Sequence, residues 1–442
     1  MEKLKSAAID LSGGILNFLA NIGLILPYLL IMAKYQQLHT TTLLIALVTF
    51  YISRSASIFY TQRMGLKSVT YLTLSLVLGA AGALIFASTT NFIWLVIGSL
   101  LWGYSAATIW PYFLTVKLHL KHYSHFKMKR LYWLIFGLLG LMVAADLGLH
   151  LAYTLSFDVL GLLYLAAIPG SLLLREPMRT VYPEMALHPE HTKAWRWGLS
   201  VIGFAIVALL TALRKTTLNL PTWLIYVAIA VAFIILILEL AADWKTLPTF
   251  KLRLLNRGFI MTLVLLFNGF FAYFYLGKMG MYATFGIYLI GFELGHPLFT
   301  KLERRPLPGK LTLSELAAIC GQVLLLIPWV GTYIVGLLLV TLYVGHDNPQ
   351  VNENLYDLPE LNADSAIIRK YRFSTYGGLL CQLALFTLLV TASTYAHTDL
   401  LAFFNPHSAA DFNLYFYSLS WPLTLISLGL TALHLSQKSP NK

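Results

Sequence analysis

The sequence predicts an all-α membrane protein: a polytopic bundle of about fourteen transmembrane helices, arranged as two six-helix halves plus an inserted two-helix hairpin. Three observations carry this. Of the 442 residues, 58% are apolar and only 11% are charged, and the mean hydropathy is +0.71; a soluble domain of this size lacks the polar groups to cover so much apolar surface. Apolar runs near the roughly 20 residues that cross ~30 Å of hydrocarbon recur along the whole chain. Finally, 26 of the 31 Lys and Arg residues fall in every second gap between those runs. That bias places these gaps on the cytoplasmic side and implies an even number of spans with both termini cytoplasmic.

The spans are read at 11–34, 41–62, 68–88, 91–116, 131–153, 159–174, 197–213, 221–241, 258–277, 280–300, 312–328, 330–345, 374–396 and 412–435. Lys3 and Lys5 precede the first. Its apolar run continues to Met32 without a small-residue cleavage site, so it reads as an uncleaved span. The opposite set of gaps holds only Lys34, Arg214, Lys215 and Lys278. No extramembrane stretch exceeds about 30 residues, which leaves no room for a soluble catalytic domain, and an enzyme is not expected. The net charge of +12 is dispersed over short gaps, so it reads as orientation and not as a nucleic-acid surface. Cys320 and Cys381 both fall inside spans and read as packing residues.

Short connections at 88–91 and 154–158 lie on the outside, and a longer gap at 117–130 on the cytoplasmic side. Residues 175–196, with Pro177, Pro183 and Pro189, read as a linker. The domains expected are a six-span half over 1–175, linker plus hairpin over 176–257 with its turn at 219–221, and a second six-span half with a short tail over 258–442. No internal repeat is visible, so pseudo-symmetry rests on span count and loop placement. The segment 346–373 opens with Asp347, Glu353, Asp357, Glu360 and Asp364 and closes with Arg369, Lys370 and Arg372. It reads as a solvated loop with a basic membrane-edge anchor.

Polar residues inside spans are the site candidates. Arg54 lies in the second span among Ser53, Ser55 and Ser57; an Arg at membrane depth costs about 2.5–3.5 kcal/mol, so it should face a cavity or a partner. Its guanidinium suits a phosphate or carboxylate, and the alternative is a snorkelling or static structural role. Asn17 and Asn21 share one face of span one, with Asn268 and Gln322 as counterparts in the second half. Together they outline a substrate cavity, or singly they bond neighbouring helices. Trp102 and Tyr104 in the fourth span join the substrate-binding candidates, against the alternative of an aromatic belt. Asp146 and His150, four residues apart, are expected on one helical face as a proton-binding couple. Glu293, near His296 and flanked by Gly291 and Gly295, is a third proton-coupling candidate, the glycines permitting close helix approach. The triplet His119, His122 and His125 lies among cations that would repel a divalent ion, so no metal and no cofactor are expected.

From Gln62 to Leu118 the chain resembles the major facilitator superfamily of secondary transporters. That family carries Gly-x-x-x-Asp-Arg-x-Gly-Arg-Arg in the cytoplasmic turn between spans two and three; Gln62-Arg63-Met64-Gly65-Leu66-Lys67 occupies this turn here. Arg63, Gly65 and Lys67 match and are the gating-turn candidates. Gln62 replaces the Asp, Leu66 an Arg, and Ile58 the first Gly. The fourth span is similarly rich in small residues, with Ser99 where proton-coupled drug exporters have Arg. The inserted hairpin is similar to the fourteen-span branch. The resemblance implies a secondary transporter in the cell membrane, with its substrate site near the midplane between two halves. It would work by alternating access and export a small amphipathic or anionic compound, with membrane lipids, a small-molecule substrate and protons as partners, and no nucleic acid. The alternatives are a lipid or lipid-linked glycan flippase, using Arg54 on a phosphate headgroup, and a non-transporting membrane factor derived from a transporter.

Overall fold

With no water to satisfy backbone groups in hydrocarbon, an apolar chain closes its hydrogen bonds within helices. In the computed structural model every regular element among the described residues is helical. These residues are 2–23, 26–38, 40–61, 66–123, 132–182, 222–247, 250–303, 311–358, 361–397, 403 and 412–437. Seven of the helices are long and apolar enough to cross a membrane, eight if the pair bent by 69° between Ile22 and Leu26 is one broken span.

The chain divides into two compact units. The first comprises 1–216 with 358–371, the second 217–357 with 372–442. In the first unit the elements are α1 (Glu2–Ile22), α2 (Leu26–Leu38), α3 (Thr41–Thr61), α4 (Ser68–Ser88), α5 (Phe92–Tyr123), α6 (Tyr132–Leu149), α7 (Thr154–Leu173) and the short α8 (Arg175–Val181). The second has α9 (Thr222–Asp243), α10 (Lys251–Thr262), α11 (Gly280–Leu302), α12 (Leu313–Leu324), α13 (Val330–Tyr356), α14 (Ala363–Ala396, whose first nine residues belong to the first unit) and α15 (Trp421–Ser436).

Three sequence readings need correction. Residues 154–158 are the first turn of α7 and not a connection. The gap at 117–130 begins as helix, because α5 runs on to Tyr123. Most consequentially, the solvated loop expected from 346 does not exist there: α13 continues through Pro349 to Tyr356 and buries His346, Asp347, Asn348 and Asn352. At the other end of that segment Lys370 and Arg372 lie within α14 and are buried. The first arm of the inserted hairpin, 197–213, lies outside the described residues.

Within the first unit α5 packs along α3 and α4, and α7 along α4 and α1. Pro169 would break α7, since proline removes an amide from the ladder and its ring pushes the preceding turn apart. Ser12 of α1 mends the gap: its hydroxyl donates to Ala166 O at 2.6 Å and accepts from Gly170 N at 2.6 Å. A tertiary contact thus stands in for a lost helical bond.

Within the second unit α11 and α13 lie backbone to backbone. A methyl group on Gly295 would fall 2.1 Å from Leu342 O, and one on Gly345 would fall 2.2 Å from Phe292 O. The close approach expected of Gly291 and Gly295 is therefore present, and it holds the polar ends of the two helices together. The continuation of α10 widens into a π turn over Leu263–Phe267, and a second π turn over Phe416–Ser420 leads into α15.

Candidate functional site

In the first unit, α3 and α5 cross where Gly103 meets Phe50 O and the Ser53 side chain, and Ser53 donates to Leu100 O at 2.6 Å. Arg54 follows Ser53 directly and is half-buried, about 10 Å of helix from the end of α3. Tyr104, next to Gly103, is half-buried too. Trp102 is fully enclosed, with Phe50, Phe86 and Phe157 at ring-centroid distances of 6.3, 5.7 and 5.7 Å. It packs as core and lines no open surface. Lys34, read as an outer-gap cation, is buried; it donates to Phe86 O at 2.7 Å and lies 5.2 Å from the Phe157 ring. Asn17 is buried, and Asn21 is exposed and donates to Asn17 O at 2.7 Å.

The Asp146–His150 couple does not share a helical face. The helix ends at Leu149, and His150, Ala152 and Tyr153 turn the chain through positive φ of 55°, 48° and 63°. This reversal brings the start of α7 back onto Asp146. The carboxylate accepts Leu155 N at 3.0 Å, Ser156 N at 2.8 Å and Ser156 Oγ at 2.6 Å, while His150 is exposed. Asp146 is thus bound as the cap of α7. Of the gating-turn candidates, Lys67 lies 4.5 Å from the Tyr182 ring; Arg63 and Gly65 fall outside the described residues.

In the second unit Asn268 closes the π turn. Its Nδ2 donates to Leu263 O at 2.9 Å, and its own carbonyl accepts Tyr333 Oη at 3.0 Å. Gln322 Nε2 donates to Thr431 Oγ1 at 3.1 Å, which lies 3.2 Å from Asn256 Oδ1. This buried network joins α12, α15 and α10, with protein atoms on both ends of the amide. Glu293 is exposed on α11 beside Leu289, Ile290 and Leu294.

The second unit also holds a polar cavity of about 210 Å³, which none of the sequence candidates lines. Its walls come from α10 (Arg253), the end of α11 (Glu303), the start of α12 (Thr312, Ser314, Glu315) and α13 (Tyr343, His346, Asp347, Gln350). Arg253 Nε donates to Asp347 Oδ1 at 2.6 Å, and Arg257 Nε lies 3.8 Å from Asp347 Oδ2. Asp347 is 1% exposed, so its charge depends on those two guanidinium groups. Thr312 and Glu315 form a reciprocal capping box at the start of α12. Glu303 accepts Ser314 N at 2.9 Å and Ser314 Oγ at 2.7 Å on one oxygen, and meets His346 Nε2 at 3.1 Å on the other. Burial acts most strongly on Glu303 and pushes its carboxyl up. The Ser314 amide and hydroxyl and the His346 imidazole together outweigh it and hold the group below its ordinary value.

The first unit carries the same construction. Asp364 accepts Ser68 N at 3.0 Å, at the start of α4, and meets the Nε2 of His119 on α5 at 3.0 Å. His119 is fully buried and His346 is 3% exposed. In both units a carboxylate binds a serine in the first turn of one helix and a histidine in the C-terminal half of the next. Among the described residues no group of three or more His, Cys, Asp or Glu is placed to hold a metal.

No family model matches the chain, and no curated protein sequence matches it. Its fold, however, is similar to that of several solved peptide transporters. An auto-inhibited POT family peptide transporter is similar over 98% of this chain and 96% of its own, at TM-score 0.53 and 15% identity. The POT family transporter PepTSo is similar over 98% of both chains, at 0.51 and 14%. Tetrameric PepTSo2 is similar over 97% and 96%, at 0.50 and 11%.

Proposed function

We propose that this chain is a secondary active transporter of the facilitator type, working by alternating access. The observation that carries the reading is the likeness of fold to peptide transporters over nearly the full length of both chains. The proposal takes fourteen spans, the six-span halves at 1–175 and 258–442 flanking an inserted hairpin, both termini in the cytoplasm and a place in the cell membrane. Its cargo is a small amphipathic or anionic compound, and its direction is export.

Arg54 is the residue assigned to the anionic group of the cargo. It is half-buried at membrane depth, beside a half-buried Tyr104 and the Gly103 crossing, where a guanidinium gains most from a carboxylate or phosphate partner. Asn21, exposed on α1, is the second contact. Trp102, Asn17, Asn268 and Gln322 shape the helices around the path instead of touching the cargo, since each is buried.

The test is flux in proteoliposomes for a panel of amphipathic dyes, organic anions and fluorescent lipid analogues, with and without an imposed pH gradient. Gradient-driven movement of a soluble compound, reduced at least about tenfold in Arg54→Ala (the loss of one charge-assisted contact of ~1.4 kcal/mol or more), is the expected result. Scrambling of lipid analogues with no soluble flux would replace this reading with a flippase.

A further inference from the structure

The geometry points to His346, with Glu303 and the cavity they border, as a proton-binding site of this chain, and to His119 with Asp364 as its counterpart in the first unit. Only the use of the proton rests on the transporter reading; the site itself does not.

Four observations assign the proton to the imidazole. Glu303 accepts hydrogen bonds from Ser314 and is held as a carboxylate. A carboxylate only accepts, so His346 Nε2 carries the hydrogen between them. Gln350 Nε2 also lies 3.0 Å from His346 Nε2, but the Gln350 oxygen is turned to Arg253 Nη2 at 3.5 Å, so Glu303 is the acceptor for that hydrogen. That leaves the second ring nitrogen, Nδ1, with its lone pair; it is buried and makes no hydrogen bond among the described residues. The ring also borders a cavity of about 210 Å³, room enough for several water molecules and a proton path, since one needs only ~10–15 Å³. By the same measure it is small for a drug-sized organic cargo, whose pockets run to ~300–1,000 Å³.

The surrounding charge favours the same outcome. Around the ring stand Arg253 and Arg257 from α10 and Glu315 from α12. From α11 come Glu303 and His296, whose ring stacks on His346 at 5.6 Å. Tyr343 and Asp347 lie on α13 itself. Among the described residues, two guanidinium groups thus stand against three carboxylates around the ring. The step is a single transfer: a hydronium ion gives its proton to Nδ1, one O–H bond breaks as the N–H bond forms, water is left, and the Nε2–H···Oε2 contact becomes one between imidazolium and carboxylate. The contact is charge-assisted before and after, since the carboxylate is ionised throughout, and the imidazolium adds the attraction of a second full charge. Protonation therefore tightens the hold of the α11 end on the ring and, through Ser314, on the start of α12. Loss of the proton loosens it.

The recurrence in the first unit is the independent support. His119 meets Asp364, which binds the amide of Ser68; Tyr182 stands edge-on to the ring at 6.3 Å and shares the Ser68 hydroxyl at 3.1 Å. Capping a helix requires only the carboxylate. A buried imidazole on its second oxygen, in both units, is an addition that capping leaves unexplained.

The experiment is an NMR pH titration of the full chain in lipid nanodiscs of phosphatidylcholine and phosphatidylglycerol, with labelled histidine. His346 is the only histidine followed by aspartate, so paired labelling of His and Asp assigns its signal without a substitution. The expected result is that His346 takes up a proton at Nδ1 as the pH is lowered, read from its ring-nitrogen shifts. In Glu303→Gln, which removes the charge and one of the two acceptor oxygens, the uptake is expected to require a lower pH. A His346 signal that stays neutral throughout, or a midpoint indifferent to Glu303→Gln, overturns the proposal. The wild-type titration decides alone if the variant does not fold. Because no flux is measured, a titrating His346 stands even if no cargo moves. Gradient-driven flux with a silent His346 keeps the transporter and removes this site.

Discussion

Removing one hydroxyl, in Ser12→Ala, should destabilise the first unit through a helix on which Ser12 does not lie. In α7 the bond from Gly170 N to Ala166 O is replaced by two bonds through Ser12 Oγ, each 2.6 Å long. Alanine leaves a buried amide and a buried carbonyl facing a methyl group. In water-soluble proteins each stranded group costs about 1–3 kcal/mol. Hydrogen bonds between membrane helices measure lower, about 0.6 kcal/mol on average and ~1.7 at most, because the unfolded state in the bilayer finds other partners. Two bonds are lost here, and Pro169 prevents the helix from closing the gap by itself. The expected cost is therefore about 1.5–2 kcal/mol.

The assay is reversible unfolding in mixed micelles, run as a double-mutant cycle with Pro169→Ala. Alanine at 169 restores an amide and lets Gly170 N reach Ala166 O directly, so the hydroxyl is no longer needed. In that background Ser12→Ala should cost less than about 0.5 kcal/mol, giving a coupling of about 1 kcal/mol or more. An equal cost of Ser12→Ala in both backgrounds would refute the idea that the serine repairs the proline.

Three carboxylates should respond differently when their charge is removed. Asp146→Asn removes the charge from the cap of α7 and should cost about 1–2 kcal/mol of stability; lost gradient-driven flux at unchanged stability would show that capping is not its main role. Asp347→Ala strips Arg253 and Arg257 of their shared partner and should cost about 3–5 kcal/mol in the same unfolding assay, whereas a cost under about 1 kcal/mol would mean that solvent already reaches the pair. Glu303 is held below its ordinary value of 4.5, so the stability it contributes is complete above that value and is lost as the pH falls through the lower, folded one. Below about pH 5, as Glu303 itself takes up a proton, the difference in stability between wild type and Glu303→Gln should accordingly shrink; a difference that goes on growing in stronger acid contradicts the assignment.

What the sequence made legible was whatever hydrocarbon enforces. Ser68–Ser88, Val330–Tyr356 and their neighbours had to be helical because the membrane offers a backbone no other partner, and the glycines at 291 and 295 announced a close crossing that the structure contains. The helix ends were less legible, because a span that overruns the membrane changes its composition without changing its conformation. The run from His346 to Tyr356, dense in Asp and Asn and carrying Pro349, has the composition of a loop, yet it is helix throughout. A helical signal was present all the same: Tyr343, Asp347 and Gln350 recur at i, i+4 and i+7, and these three face the cavity. The Asp146–His150 pairing went wrong for the opposite reason. Four residues make a common face only while the helix lasts, and this one ends at Leu149.

The histidine–carboxylate pairs were beyond any reading by spacing or by repeats. His346 finds its carboxylate 43 residues upstream, and His119 finds its own 245 residues downstream, so the two units reach one chemical arrangement with the acid supplied from different elements. A repeat inherited by duplication would have kept the acid in register with the histidine, and a search for internal similarity finds only what stays in register. What recurs is the set of atoms: a carboxylate, a serine amide at a helix start and a buried imidazole. A latch needing only mechanical strength is served by any donor, and an amide or a hydroxyl is less costly to bury than a group that ionises. Imidazole is the one side chain whose ordinary titration falls near neutral pH, and its appearance at both latches is the feature that a proton site accounts for and a helix cap does not.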